Sequence, residues 1–386
     1  MDEIGVKPKP TLKELARERF ADLLEAELKL LCALHKSVPA HCGDPAIGRE
    51  ERVNNPRHAD TWGKEYDIRG DLIRWLCVEP DAQSRIDVRG IRVQSARISG
   101  ELDLSFVVVR FPLIFHSCKF AGTLRLMLAD LHLLDLGGSA AGAVFAKGTH
   151  IKGSVLLRDG FSAEGEVNLY GASVGGNLEC ERRSFKNAND YALIADCAKI
   201  EGHVLLSNGF SAEGEVNLYC ASVRGNLTCE CGSFKNTKCR PALNTSRAKI
   251  EGAVYLHKCF SAEGEVNLYA ASVGGNLECQ SGRFKNANGY AINAALAKIA
   301  GHVYLRDGFS AEGEVNLYGT SIGGNLECGK GTFNKPGATA LNFELAKIER
   351  AVFLNEGFFP IEHTAIDWKP TNPTMRTTNR PTRRPT

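Results

Sequence analysis

The sequence lacks an excess of either charge. Of its 386 residues, 47 are Lys or Arg and 45 are Asp or Glu, which gives a net charge of +2. This balance by itself predicts neither a nucleic-acid nor a membrane partner. No stretch approaches the ~18 consecutive apolar residues of a membrane span. The first six residues, Met-Asp-Glu-Ile-Gly-Val, have none of the basic and apolar character of a secretion signal. We therefore expect a cytoplasmic protein.

What the sequence does contain is a repeat. The phrase Phe-Ser-Ala-Glu-Gly-Glu-Val-Asn-Leu-Tyr begins at Phe161 and returns at Phe210, Phe260 and Phe309, at steps of 49, 50 and 49 residues. Strict self-similarity at such a period is typical of stacked repeat architectures.

Each 49-residue unit divides into two coils. If Thr149 is taken as an anchor, equivalent anchors follow at alternating steps of 23 and 26 or 27 residues up to Ala346. Two weaker copies begin at Ala96 and Cys118. Apolar residues alternate within each coil, as in a β-strand. The glycine four residues after ten successive anchors, from Gly100 to Gly324, predicts a corner with an unusual backbone angle.

Short strands, one turn per coil and stacking of like residues predict an all-β solenoid, a parallel β-helix of about 11 coils. We expect this β-helix to cover residues 85–358. A small α-helical cap should precede it in residues 1–84, and a C-terminal cap should follow in residues 359–368. Residues 369–386 contain five basic residues, four prolines and no acid, which predicts a disordered basic tail.

The units Ile98-Ser-Gly-Glu-Leu-Asp-Leu and Val174-Gly-Gly-Asn-Leu carry a family resemblance. Over about residues 67–358 the chain resembles the pentapeptide-repeat-like β-helix proteins of bacteria, and more closely a poorly characterised family within that group. The resemblance implies a right-handed helix. Some members are described as membrane-associated oxidoreductases. This sequence contains no Gly-rich dinucleotide fingerprint and no cluster of cofactor ligands, so we expect no cofactor.

The N-terminal region should form helices. Thr11-Leu-Lys-Glu14 is a capping box, and leucines at helical spacing predict one amphipathic helix to about Ser37. A second helix is predicted from Asp71 to Cys77. These helices should plug the first coil; docking of a partner is the alternative. At the other end, Phe358, Phe359, Ile361 and Trp368 are expected to close the core.

Most of the thirteen cysteines are expected to be reduced thiols. Cysteines eight residues after alternate anchors should stand about 9.6 Å apart, which is too far for a disulfide or a single zinc ion. They are therefore predicted to lie in the core. Cys197 and Cys220 lie in successive coils, where a disulfide is allowed but a reduced pair is expected. A zinc site from Cys32, His35, His41 and Cys42 is disfavoured by their spacing. The core column consists of Cys180, Cys229, Cys279 and Cys328.

Polar residues recur on what should be an exposed strand face. An asparagine stands four residues before nearly every anchor, and on alternate coils it is flanked by glutamate and tyrosine. Amide ladders stabilise stacked parallel strands, but such rows can also bind an extended polymer. The candidate binding residues are Glu166, Asn168, Tyr170, Glu215, Asn217, Tyr219, Glu265, Asn267, Tyr269, Glu314, Asn316 and Tyr318.

The longer coils carry an insertion that is rich in basic residues. Such a ridge could track phosphates, although a solvated surface is the simpler interpretation. The ridge consists of Arg182, Arg183, Lys186, Lys235, Lys238, Arg283, Lys285 and Lys335.

A repeated surface argues against a single active site, because an active site is one unique set of groups. We therefore expect a non-catalytic scaffold that binds a protein or another extended partner through the Glu/Asn/Tyr face or the helical cap. A carbohydrate-binding or carbohydrate-active β-helix is the first alternative. A nucleic-acid-associated protein using the ridge and tail is the second.

Overall fold

The computed structural model describes residues 10–181, 184–236, 238, 240–354, 359–360 and 365–367. The predicted basic tail, and the predicted closure of the core by Phe358, Ile361 and Trp368, lie outside these residues.

The N-terminal region is helical, but its first helix is interrupted. The Thr11 capping box is present. The prediction of one helix to Ser37 is wrong, because the helix ends at Phe20 in extended backbone and a second begins after Leu24. The buried Glu27 side chain caps Leu24 N–H at 2.9 Å and fixes this new start. The helix predicted from Asp71 to Cys77 is confirmed. The helices among the described residues are Leu12–Arg19, Glu25–Lys36, Gly70–Val78 and Pro80–Gln83, with 3-10 turns at Pro56–Thr61 and Lys64–Tyr66.

The rest of the described chain winds into a parallel β-solenoid. A fully developed coil contains four short strands, and each strand pairs in parallel with its equivalent in the next coil. The described strands form three sheets, which we call sheets A, B and C. The prediction of an all-β solenoid is confirmed, and sheet A steps through about eleven turns between Ile91–Gln94 and Val352–Phe353.

Sheet A consists of Ala40–His41, Ile91–Gln94, Leu113–His116, Leu134–Asp135, Val155–Leu156, Leu178–Glu179, Val204–Leu205, Leu227–Thr228, Val254–Tyr255, Leu277–Glu278, Val303–Tyr304, Leu326–Glu327 and Val352–Phe353. Sheet C consists of Asp130–Leu131, His150–Ile151, Ser173–Val174, Lys199–Ile200, Ser222–Val223, Lys249–Ile250, Ser272–Val273, Lys298–Ile299, Ser321–Ile322 and Lys347–Ile348.

Sheet B contributes two strands to most coils and covers two sides of the rod. Its strands are Asp67–Arg69, Arg97–Ser99, Leu102–Asp103, Lys119–Phe120, Leu124–Arg125, Ala140–Ala141, Val144–Phe145, Ser162–Ala163, Val167–Asn168, Ser184–Ile194, Ser211–Asn217, Ser233–Lys235, Leu243–Asn244, Ser261–Glu263, Val266–Asn267, Arg283–Asn293, Ser310–Asn316, Thr332–Asn334, Thr339–Asn342, Phe359–Pro360 and Ala365–Asp367.

The register of the first coils corrects the predicted anchors. The strands after Ala96 and Cys118 pair through sheet B to Ser162–Ala163, whereas the strand after Thr149 lies in sheet C. Ala96 and Cys118 are therefore equivalents of Phe161 and not of Thr149. The apolar-x-apolar-x-Gly motif occurs on two sides of the rod, as in 161–165 and 172–176, because these sides repeat the same strand–turn–strand geometry. The gap from Cys118 to Thr149 accordingly spans about one and a half turns.

Close approach of neighbouring coils explains the glycines that follow the anchors from Thr149 onward. Of the ten glycines from Gly100 to Gly324, only Gly100 has a left-handed backbone, with φ +74°. The predicted unusual angle is therefore wrong for the others. A Cβ on Gly225 would lie 2.7 Å from the carbonyl oxygen of Gly202 in the preceding coil. The backbones pack so tightly at this corner that only hydrogen fits.

A stack of phenylalanine rings runs through the core beside sheet B. The phenylalanines that follow the anchors are fully buried, with ring centroids of successive coils 5.0–5.7 Å apart. Burial of each ring contributes roughly 1.5–3 kcal/mol relative to exposure. The stack consists of Phe161, Phe185, Phe210, Phe234, Phe260, Phe284, Phe309 and Phe333.

Candidate binding surface

The asparagine column lies on the second strand that each coil gives to sheet B. Asn217 Oδ1 accepts the backbone N–H of Tyr219 at 3.0 Å, and Asn267 and Asn316 accept those of Tyr269 and Tyr318 at 2.9 and 3.0 Å. Each side chain thus closes its own corner by bonding two residues ahead. Stacking amide to amide is secondary: Asn316 Nδ2 donates to Asn293 Oδ1 at 3.5 Å.

The glutamates and two of the asparagines are less exposed than predicted. Glu215 is only 3% exposed, while Asn217 and Asn316 are 5% and 8% exposed. The insertions cause this burial. In the coil before Glu215, the chain bulges between Lys186 and Tyr191 and then pairs Tyr191 with Glu215. The prediction that the Glu/Asn/Tyr face is exposed is therefore wrong for these three residues.

Amide donors hold two carboxylates of this column, the buried Glu215 and the half-buried Glu265. Asn244 Nδ2 donates to Glu215 Oε1 at 3.1 Å, and Asn293 Nδ2 donates to Glu265 Oε1 at 3.3 Å. Burial raises the pKa of both Glu215 and Glu265, and the amide hydrogen bonds oppose this change. Glu166 is half-buried and accepts a hydrogen bond from Asn168. Glu314 pairs with Lys335 at 2.9 Å.

The tyrosines are the exposed part of the phrase. Tyr170, Tyr219, Tyr269 and Tyr318 are 43%, 36%, 37% and 38% exposed. Backbone hydrogen bonds of 2.8–3.0 Å link the corner from coil to coil, for example from Cys197 N to Tyr219 O and from Leu296 N to Tyr318 O. We call these four tyrosines, with Asp196, Ser246 and Ala295 in the coils between them, the tyrosine corner.

Asp196 occupies the tyrosine corner between Tyr170 and Tyr219 and was not predicted. Its Oδ1 atom is buried and has no hydrogen-bond partner among the described residues. Burial raises the pKa of this carboxyl to about 6. Two cations also border the corner: Lys147 Nζ lies 5.0 Å above the Tyr170 ring, and Arg247 Nη1 lies 3.4 Å from the Tyr219 hydroxyl. The exposed surface of the corner therefore consists mainly of tyrosine rings, with a few charged side chains at separate positions.

The basic ridge is largely neutralised by its surroundings. Lys235, Lys285 and Lys335 pair with Glu263, Glu312 and Glu314 at 3.2, 3.6 and 2.9 Å. Lys186 is the strand partner of Glu213. Lys238 and Arg283 are exposed, and Arg182 and Arg183 lie outside the described residues.

These pairs reduce the charge available for phosphates. Lys235 and Lys285 pair with the acidic phrase of the following coil, whereas Lys335 pairs with the acidic phrase of the preceding coil. The ridge alternates in sign along the rod, unlike a groove that binds nucleic acid.

The core cysteines are confirmed, but one disulfide was not predicted. Cys180, Cys229, Cys279 and Cys328 are fully buried, and burial raises the pKa of the last three thiols well above the usual range. Cys197 and Cys220 are free thiols.

Cys231 and Cys259 form the disulfide, with Cα atoms 4.2 Å apart. They stand ten and eleven residues after their anchors, so the column pattern did not bring them together.

No group of three or more His, Cys, Asp or Glu among the described residues could hold a metal ion.

A second polar surface, on the outside of sheet A, was also missed. The His302 and Tyr304 rings stack in parallel with centroids 5.4 Å apart, and Arg306 lies 4.7 Å from the Tyr304 ring. His302 Nδ1 accepts the backbone N–H of Asn325 at 3.0 Å. Tyr255 repeats the position of Tyr304 two coils earlier. The sequence feature that could have predicted this surface is a tyrosine seven residues after each of two alternate anchors.

The fold thus places the protein among parallel β-solenoids. Comparisons with protein-family models, curated proteins and solved structures find no match. None of the described helices is long and apolar enough to cross a membrane.

Proposed function

We propose that the protein is a non-catalytic β-helical scaffold that binds a protein or another extended partner along the tyrosine corner. The observation that supports this proposal is the selective exposure of four tyrosine rings. The neighbouring glutamate and asparagine side chains form hydrogen bonds or ion pairs within the fold. The tyrosine rings, in contrast, are exposed on every second coil. Tyrosine supplies large contact area at low entropic cost.

Placement among the pentapeptide-repeat-like β-helices of bacteria is part of this proposal. The support is the coil itself, with four short strands and a Gly-containing motif that occurs on two sides of the rod. A cytoplasmic location also belongs to the proposal. Free thiols such as Cys197 and Cys220 favour a reducing compartment, whereas the Cys231–Cys259 disulfide favours an oxidising one. Thiol counting on protein from its native source tests this point.

Two other surfaces are weaker candidates for partner binding. The helical cap has an open cleft of about 630 Å³ lined by Arg19, Phe20, Asp71, Arg74, Trp75, Val78 and Glu79. Nucleic-acid binding is disfavoured by the carboxylates that pair with the ridge. Carbohydrate binding shares the tyrosine corner with the main proposal, because exposed rings can also stack on sugars.

Arrays of peptides and glycans probed with the full chain test the proposal. The decisive variant replaces Tyr170, Tyr219, Tyr269 and Tyr318 by serine. The matched control is Tyr255→Ser with Tyr304→Ser, which removes the same kind of residue from sheet A. Peptide binding should fall at least tenfold in the corner variant and persist in the control. Loss in both variants, or in neither, contradicts the proposal. Binding of glycans alone would favour the carbohydrate alternative.

A further inference from the structure

The C-terminal strand ends beside the tyrosine corner. Ala365–Asp367 pairs with Thr339–Asn342, and Asp367 is the strand partner of Asn342. Asn342 is the last asparagine of its column, and in each coil the corner residue follows two positions later, as Tyr318 follows Asn316. Asp367 therefore lies at one end of the tyrosine corner.

The segment that follows has an unusual composition. Residues 369–386 contain four prolines, and Pro370 and Pro373 have the spacing of a PxxP motif. Proline-rich segments of this kind bind aromatic-lined grooves as polyproline II helices, whose conformation costs little entropy to fix.

The pitch of such a helix matches the spacing of the rings. Polyproline II has three residues per turn at 3.1 Å each, or about 9.3 Å per turn. Stacked coils are about 4.8 Å apart, so tyrosines on alternate coils recur at about 9.6 Å. One residue in three of a bound helix would therefore meet a tyrosine ring.

The tail is long enough to cover the corner. Six coil steps separate Tyr318 from Tyr170, a distance of about 29 Å. A polyproline II helix covers this distance with roughly nine residues, and the segment has eighteen. The carboxylate of Asp196 lies in the same column as the rings and is complementary in charge to the basic residues of the tail. Lys147 and Arg247 carry the same sign of charge as the tail, so the charge complementarity is confined to part of the corner.

We propose that residues 369–386 bind along the tyrosine corner of their own chain as a polyproline II helix and occupy it until another partner displaces them. This inference rests on the proposed function, and it narrows the partner to proline-rich segments. A partner would have to compete with a tethered segment, whose high effective concentration sets a threshold for binding.

Photo-crosslinking in the full chain tests the tail directly. A benzoylphenylalanine replaces Tyr269 in one variant and Tyr255 in the control. Both tyrosines belong to the same coil, but Tyr255 lies on sheet A. After irradiation at low concentration, the Tyr269 probe should capture peptides from residues 369–386, whereas the Tyr255 probe should not. Adding Pro370→Ala and Pro373→Ala should lower the Tyr269 yield at least fivefold.

Equal capture at the two positions, or capture that ignores the proline substitutions, overturns the proposal. A mixture of light and heavy isotope-labelled chains shows where the tail comes from, and cross-links between light and heavy chains contradict docking within one chain. If the protein binds peptides on the array but the Tyr269 probe captures no tail peptide, only the docking of the tail is overturned. Tail capture without array binding overturns only the proposed external partner.

Discussion

The carboxylate of Glu27 is fully buried and is held by Arg69, whose Nε and Nη2 atoms lie 2.7 and 2.6 Å from its two oxygens. Arg69 belongs to the strand that pairs with Arg97–Ser99. This ion pair therefore ties the second helix to the first coil of the solenoid.

Removing Arg69 should destabilise the helical cap. Arg69→Ala leaves a buried carboxylate without its cation, which costs on the order of 3 kcal/mol. Urea unfolding followed by the fluorescence of Trp75 measures the loss. The matched control is Lys29→Ala, which removes the exposed Lys29–Glu25 pair and should cost less than about 1 kcal/mol. Equal losses in the two variants would contradict the assignment.

The glycine column gives a sharper test of coil packing. Gly225→Ala places a Cβ 2.7 Å from the backbone oxygen of Gly202, which cannot move without shifting a whole coil. We expect a loss of roughly 3 kcal/mol or more, as for severe overpacking. Gly142→Ala is the control, because a Cβ there meets nothing within 4 Å. A melting temperature for Gly225→Ala equal to that of the control would show that the coils can separate at this corner.

The sequence predicts the column residues well and their surroundings poorly. Phe210 and Cys229 recur with a regular alternation, so their burial follows from periodicity. The phase of Ala96 could not be predicted in this way, because the two halves of a coil share one motif. The burial of Glu215 depends on an insertion from the preceding coil, and sequence spacing does not show how an insertion folds over its neighbours.

Asn217→Ala tests whether the asparagine column is structural. The substitution leaves the Tyr219 N–H without its 3.0 Å acceptor in a site where Asn217 is only 5% exposed. Loss of this bond should cost about 1–2 kcal/mol. Asn168→Ala removes the same kind of bond at a half-exposed site and should cost less, because water can replace the acceptor. Chemical denaturation of both variants provides the comparison, and a larger loss at Asn168 would rule out this explanation.

Reduction of the Cys231–Cys259 disulfide should weaken the middle of the rod. The bond joins residues 28 positions apart, and the loop-closure model predicts a contribution of roughly 3–4 kcal/mol. We expect a lower melting temperature for Cys231→Ser with Cys259→Ser, and no further effect of a reductant on that variant. Cys197→Ser with Cys220→Ser serves as the control, since these exposed thiols are free. An unchanged melting temperature after reduction of the wild type would contradict a structural role.

Asp196 should make the stability of the rod depend on pH. Burial raises its pKa to about 6 in the folded protein, whereas an unfolded aspartate titrates near ~3.9. The folded state therefore binds the proton more tightly, so stability is greatest below the unfolded pKa and declines as the pH rises towards 6. Asp196→Asn should remove this part of the decline, measured as the urea midpoint between pH 4 and pH 7. Asp60→Asn, which removes a carboxyl at an exposed position in the cap, is the matched control. Parallel curves for wild type and Asp196→Asn would show that the carboxyl titrates normally and that the corner is better hydrated than its burial implies.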